Sequence, residues 1–156
     1  VSAGAYDTVK AVLSQLGTVE FTSIAMQPGK PQGYGTLGET PIFTLPGNPV
    51  SAYVSFEVFV RPVLRRFLGY NELFRPMVEA RVTNAFDSPA AKRQYARGQL
   101  AYQNGDWTFH PSMSQGSHQV GVLAHANAIA VVPEEVEHVP ANSTVTVMRL
   151  DTDHGA

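Results

Sequence analysis

Met26-Gln27-Pro28-Gly29-Lys30-Pro31 is the stretch of this 156-residue chain best suited to handle an anion. Its prolines stiffen a loop, and it follows a run that reads as a strand, the place where open α/β sheets hold ligands. Lys30 offers a point positive charge to a phosphate or another oxyanion; the plain alternative is a solvated lysine on a turn. Leu45-Pro46-Gly47-Asn48-Pro49-Val50-Ser51 reads as strand, rigid turn and helix start. Asn48 suits the cap and Pro49 the first helical position. A helix start presents unpaired N–H groups and partial positive charge to an anion, although a well-capped helix needs no ligand. Ser114-Gln115-Gly116-Ser117-His118 is a third polar cluster. Ser117 can donate to a phosphate there, and an ordinary loop has the same composition.

Other chemistry is set aside. Gly33-Tyr34-Gly35-Thr36-Leu37-Gly38 matches G-x-G-x-x-G. That dinucleotide fingerprint needs a strand before it and a helix after it. A strand follows here, which leaves a glycine-rich loop feeding a strand. His110, His118, His125, His138 and His154 show no metal-ligand spacing, and Glu134, Glu135 and Glu137 read as a solvated acidic face. No G-x-S-x-G elbow supports a hydrolase triad. The chain has no cysteine, so disulfides, thiolate zinc sites and cysteine nucleophiles are excluded.

The positioning elements follow from periodicity. Tyr6–Leu16 has apolar residues at helical spacing, with Asp7 at its start and Gly17 at its end. Val19–Met26 predicts a strand, 27–38 a Pro/Gly loop, Thr40–Leu45 a second strand, and Val50–Leu68 a long helix. That helix is apolar nearly all round and therefore expected to be buried, with Pro62 kinking it and Glu57 and Arg61 one turn apart. Beyond it lie short strand candidates at Pro76–Phe86, Gln94–Gln103, Trp107–His110, Ala128–Val132 and Thr144–Leu150. Asn104-Gly105 is a hairpin signal, and 116–126 has room for one helical turn. The expectation is α/β followed by all-β, the latter a small barrel or sandwich. Charge also changes along the chain: residues 1–75 carry a net +1 and residues 76–156 a net −3. A boundary is therefore expected near Arg75, within the Gly69–Pro76 punctuation.

The overall charge of −2, from 11 basic and 13 acidic residues, argues against a nucleic-acid binder. Glu57, Arg61, Arg65 and Arg66 interrupt the longest apolar run, which argues against a membrane span. The opening residues do not read as a signal peptide, so a cytoplasmic location is expected. Because the chain opens with Val1, in what reads as mid-domain, a fragment of a longer protein is also expected.

Three segments in order, Val1-Ser2-Ala3-Gly4-Ala5-Tyr6-Asp7, Met26–Pro31 and Leu45–Ser51, together with Gln115-Gly116-Ser117-His118, resemble the C-terminal part of the molybdopterin molybdenumtransferase family (MoeA and the E domain of gephyrin). The resemblance covers essentially the whole chain. It implies that residues 1–75 form the second half of a MogA-like three-layer α/β domain that binds molybdopterin. Residues 76–156 would form the family's C-terminal β-barrel domain (domain IV). The implied reaction inserts molybdate into adenylylated molybdopterin with release of AMP, with magnesium involved and a homodimer as the working unit. The implied partners are a MogA-type adenylyltransferase and recipient molybdoenzymes. By resemblance, Asp7 is catalytic and holds magnesium or positions the phosphate, and Lys30 neutralises an oxyanion. Gln27, Pro46, Asn48, Pro49, Ser51 and Ser117 then bind substrate. Gln27 stands where many members carry lysine. It donates a hydrogen bond but brings no charge, which lowers affinity for molybdate unless another lysine compensates. The rival expectation is a binding or oligomerisation module of a gephyrin-like protein.

Overall fold

The computed structural model describes residues 8–112 and 120–151. The first helix, α1 (Thr8–Leu16), precedes a three-stranded antiparallel sheet of β1 (Glu20–Ser23), β3 (Pro31–Leu37) and β4 (Thr40–Thr44), ordered β1-β3-β4. The expected strand over Val19–Met26 is broken. Ile24 and Ala25 leave the sheet, and Met26–Gln27 form a separate short strand, β2. The expected loop over 27–38 is corrected as well, because most of it is β3. Its glycines serve close packing. A Cβ on Gly35 would lie 2.5 Å from the Thr18 carbonyl oxygen, and one on Gly33 would run into Thr44 and Phe21. The glycine pattern is thus a strand with backbone pressed against its neighbours, and neither a cofactor loop nor a plain one.

The long helix is three pieces: α2 (Pro49–Ser55), a π-helical turn (Phe56–Val60) and α3 (Arg61–Phe67). Pro62 explains the break. It has no N–H to return to Val58, and its ring opposes that carbonyl. Widening the preceding turn, with the Arg61 N–H donating to Phe56 O five residues back, accommodates it. The helix is also less buried than its composition suggests. Val50 and Val54 are fully buried, whereas Leu64, Phe67 and Leu68 are exposed.

The remaining chain forms a barrel. Its strands are β5 (Met77–Val82), β7 (Arg93–Gln103), β8 (Asp106–Pro111), β9 (Ala128–Val132) and β11 (Thr144–Arg149). They run in the order β7-β8-β5-β11-β9, and β9 returns to β7 to close the ring. Two short strands, β6 (Phe86–Asp87) and β10 (His138–Val139), pair with each other outside it. The long strand β7 makes closure possible: Gly98–Gln103 pair with β8, while Gln94–Gly98 pair with β9. Asn127 prolongs the β9 side, accepting from the Leu100 N–H at 2.7 Å and donating to the Leu100 carbonyl at 3.0 Å. Asn104 and Gly105, with φ of 54° and 91°, make the hairpin turn expected of that pair. A short helix, α4 (Val120–His125), leads into β9.

Alternation along the strands sorts the barrel into two faces. Ala96, Leu100, Phe109, Ala130, Val132 and Val147 fill the interior. Tyr95, Ile129 and Met148 point outward, against Val54, Tyr53, Val58 and Phe59 of the helical segment and against Met26. One apolar seam therefore joins the two halves. A charged clamp flanks it. Glu57, in the π turn, receives Arg75 through two bonds, at 2.9 and 3.1 Å, and lies 3.6 Å from Arg61. Arg75 also donates to the Leu150 carbonyl at the end of the barrel's last strand. Glu57 is 4% exposed, so its charge depends on these partners.

Candidate functional site

The loop between β2 and β3 is held from beneath. Pro28 and Gly29 are buried, and the Gln32 side-chain amide donates to the Gly29 carbonyl at 2.6 Å and to Ser55 Oγ at 2.5 Å. Gly29 has φ +113°, and a Cβ there would sit 2.8 Å from Ser55 Oγ, so glycine is required on both counts. The Ile24 N–H donates to the Lys30 carbonyl at 2.8 Å and pins the far side of the loop. The Gln27–Pro28 peptide is cis. Lys30 itself is exposed on this braced turn.

Above the loop is a cavity of about 250 Å³, whose polar lining comes from Gln27, Lys30, Ser51 and Lys92. Ser51, in the first turn of α2, is 6% exposed. Lys92 arrives from the other half of the chain. Strand β2 pairs in parallel with the start of β7, Met26 opposite Arg93 and Gln27 opposite Gln94, and the Arg93 N–H donates to the Ala25 carbonyl at 2.9 Å. The residue before β7 is thereby set beside Gln27. Among the described residues no carboxylate lines the cavity. Glu134, close by in sequence to the strand that pairs with β7, is committed to Arg93 at 3.2 Å. Its carboxyl is held below the usual range, first by a backbone hydrogen bond within its own residue and also by that guanidinium. The cavity therefore presents two ammonium groups, an amide and a hydroxyl, which together suit an oxyanion.

The predicted residues divide three ways. Gln27, Lys30 and Ser51 meet at this cavity. Pro46, Asn48 and Pro49 are not among its lining residues; they build the turn that launches α2. Asn48 is the cap, its Oδ1 accepting from the Val50 and Ser51 N–H groups at 3.1 and 3.3 Å. Pro49, just after it, has no N–H. The amides at this helix start are thus already satisfied or absent, so the turn offers an anion no free N–H donor of its own. Asp7 and Ser117 lie outside the described residues, as do His118 and the rest of 113–119. Lys92 is the residue that reading the sequence missed. Its sole local signal was the Lys92-Arg93 pair ahead of a strand, and only the β2–β7 pairing gives that pair a location. A further charged residue, Arg97 on β7, is fully buried, and burial pushes its guanidinium pKa down.

Comparison with known proteins covers both halves. Residues 1–66 match the profile of a probable molybdopterin binding domain, and residues 79–150 that of the MoeA C-terminal region (domain IV). Molybdopterin molybdenumtransferase 2 of Mycobacterium tuberculosis is 45% identical over 156 residues, which is 96% of this chain and 38% of that protein. The molybdopterin molybdenumtransferase of Haemophilus influenzae is 34% identical over 94% of this chain and 37% of its own length. Gephyrin of Dictyostelium discoideum is 31% identical over 96% of this chain and 24% of its own length. Among solved structures, a molybdopterin biosynthesis MoeA protein from Pyrococcus horikosii superposes with a TM-score of 0.76 at 29% identity, covering 94% of this chain and 35% of that one. The chain spans less than two fifths of the curated relatives it matches.

Proposed function

Because this chain belongs to the molybdopterin molybdenumtransferase family, we propose that it carries part of an active site that inserts molybdate into adenylylated molybdopterin and releases AMP. The observation that carries this reading is the cavity over Gln27 and Lys30, whose described lining holds cations and neutral donors and no carboxylate. Molybdate and the nucleotide phosphate are both anions, and bringing them together requires compensating positive charge held in place before reaction. Lys30 would take the oxyanion. Gln27 and Ser51 would donate hydrogen bonds that orient it. Pro46, Asn48 and Pro49 would act through shape, by fixing where α2 and Ser51 begin. Asp7 and Ser117 would complete the site from the flanking segments. The domain division near Arg75 is part of the same proposal, with the cavity at the junction of the two halves.

Magnesium fits none of the described cavity groups. Two lysines repel a divalent cation, and among the described residues no cluster of His, Asp and Glu is arranged to hold a metal. Within this chain magnesium would depend on Asp7. A homodimer, a MogA-type adenylyltransferase and recipient molybdoenzymes are proposed as partners. A cytoplasmic setting is proposed too; no described helix is long and apolar enough to cross a membrane.

The test is equilibrium binding of adenylylated molybdopterin, with magnesium, to this chain and to a full-length relative. Binding by the relative that Asp7→Asn at the matching position abolishes, with weaker binding by this chain, supports a site that this chain holds in part. Absence of binding to both sinks the enzyme reading and favours the gephyrin-like interaction module.

A further inference from the structure

We infer that Lys92 is the second cation of the oxyanion pocket, supplied by the barrel half to oppose Lys30 from the α/β half. The inference rests on the reading of that pocket as an oxyanion site. Three observations carry it. First, Lys92 lines the same cavity as Lys30, and no described carboxylate does. Among the described residues neither lysine has an acidic partner within ion-pair distance, while the neighbouring Arg93 is paired with Glu134 at 3.2 Å. Second, the position of Lys92 is fixed by backbone on both sides. The Ala91 N–H donates to the Glu134 carbonyl at 3.1 Å and the Arg93 N–H to the Ala25 carbonyl at 2.9 Å. Ala91 takes a left-handed φ of 55°, uncommon for a residue with a Cβ, and the bend that delivers Lys92 is built there. Third, Gln27 contributes hydrogen bonds but no charge, so a dianion in this cavity meets one cation from the loop and needs another.

The ligand class is a tetrahedral oxyanion, available either as free molybdate or as a phosphate monoester. Two like charges from separate halves of the chain line one cavity, and an anion between them removes their repulsion. Occupancy should therefore also strengthen the seam between the halves.

The experiment titrates this chain with molybdate alone and, separately, with AMP alone, at low ionic strength, where screening is weak. The variants are Lys30→Met, Lys92→Met, Lys92→Arg and, as a control, Arg93→Gln. Circular dichroism checks that each is folded. Lys92→Met is expected to weaken molybdate about tenfold, a loss of roughly 1.4 kcal/mol. Lys92→Arg should recover most of it, and Arg93→Gln should change it little. Molybdate should also raise the thermal midpoint of the unsubstituted chain more than that of Lys92→Met. If Lys92 governs AMP and not molybdate, the phosphate is the occupant and the second cation stands. If Lys30→Met weakens binding and Lys92→Met does not, the pocket reading survives and the role of Lys92 is overturned. If neither anion binds, both fall.

Discussion

The barrel and the three-stranded sheet are both antiparallel in most of their pairings and solve the burial problem differently. The barrel closes on itself, so its strands have partners on both sides, and its interior is sealed around Phe109, Val82 and Val147, each 0% exposed. The β1-β3-β4 sheet is open, and α1 beside it buries none of its residues; Val9, Val12 and Leu16 are all exposed. Closure lets a five-stranded sheet bury an interior with small and medium side chains. An open sheet of three strands must borrow a surface, and here the helical segment and the loop at Met26 take theirs from the outer wall of the barrel. The cavity lies where the borrowing occurs, so the barrel half sets the position of Lys92 and the braced loop that of Lys30.

This contrast can be broken in graded steps. The largest effect is expected from Phe109→Ala, which empties the barrel interior and should cost about 3–5 kcal/mol in urea unfolding followed by Trp107 fluorescence. Glu57→Ala strands Arg75 and Arg61 at the seam and should cost about 3–5 kcal/mol as well. Its signature differs: helical circular dichroism should be lost before Trp107 fluorescence changes. Coincident transitions would mean that the two halves unfold as one unit. Gly98→Ala probes closure itself. The new Cβ would lie 2.4 Å from the His110 carbonyl oxygen and 2.5 Å from a Phe109 ring carbon, and a loss of about 1–3 kcal/mol is expected.

A pH titration sharpens the seam without mutation. Burial, with Glu57 nearby, raises the Tyr53 pKa above its ordinary 10.0, and burial raises that of Tyr95. Folded, these phenols hold their protons more tightly than unfolded. Their contribution is complete below about pH 10 and is lost as pH rises through the raised values. The phenolate absorbance of Tyr53 and Tyr95 should therefore appear together with loss of helical signal. The smallest effect is expected for Leu16→Ala, an exposed residue of α1, at within about 0.5 kcal/mol. A cost like that of Phe109→Ala would show that α1 is as firmly buried as the barrel and would erase the contrast.

Local chemistry was legible wherever one stretch of chain decides the outcome. The Asn104-Gly105 turn, the Asn48 cap with Pro49 behind it, and the rigid loop carrying Lys30 all depend on φ preferences and missing N–H groups that a residue carries with it. The β3 strand was hidden because its glycines imitate a loop, and the reason for them is the neighbouring backbone of Thr18 and Val19. The helix over 50–68 was legible as a helix. Its burial was overestimated, because composition reports how apolar a face is and not whether anything covers it.

The sequence by itself determined the two-part order of elements and the stiff turns, and its resemblance to a known family put forward Gln27, Lys30 and Ser51, which line one cavity in the structure. Tertiary structure alone decided that β2 leaves its own sheet to pair with β7, that Arg75 reaches back to Glu57, and that Lys92 lines the same cavity as Lys30. The physical reason is range. A turn is set by the torsional preferences of four residues, whereas a parallel pairing between residues 26–27 and 93–94 exists only once the barrel has closed and the helical segment has docked against its wall.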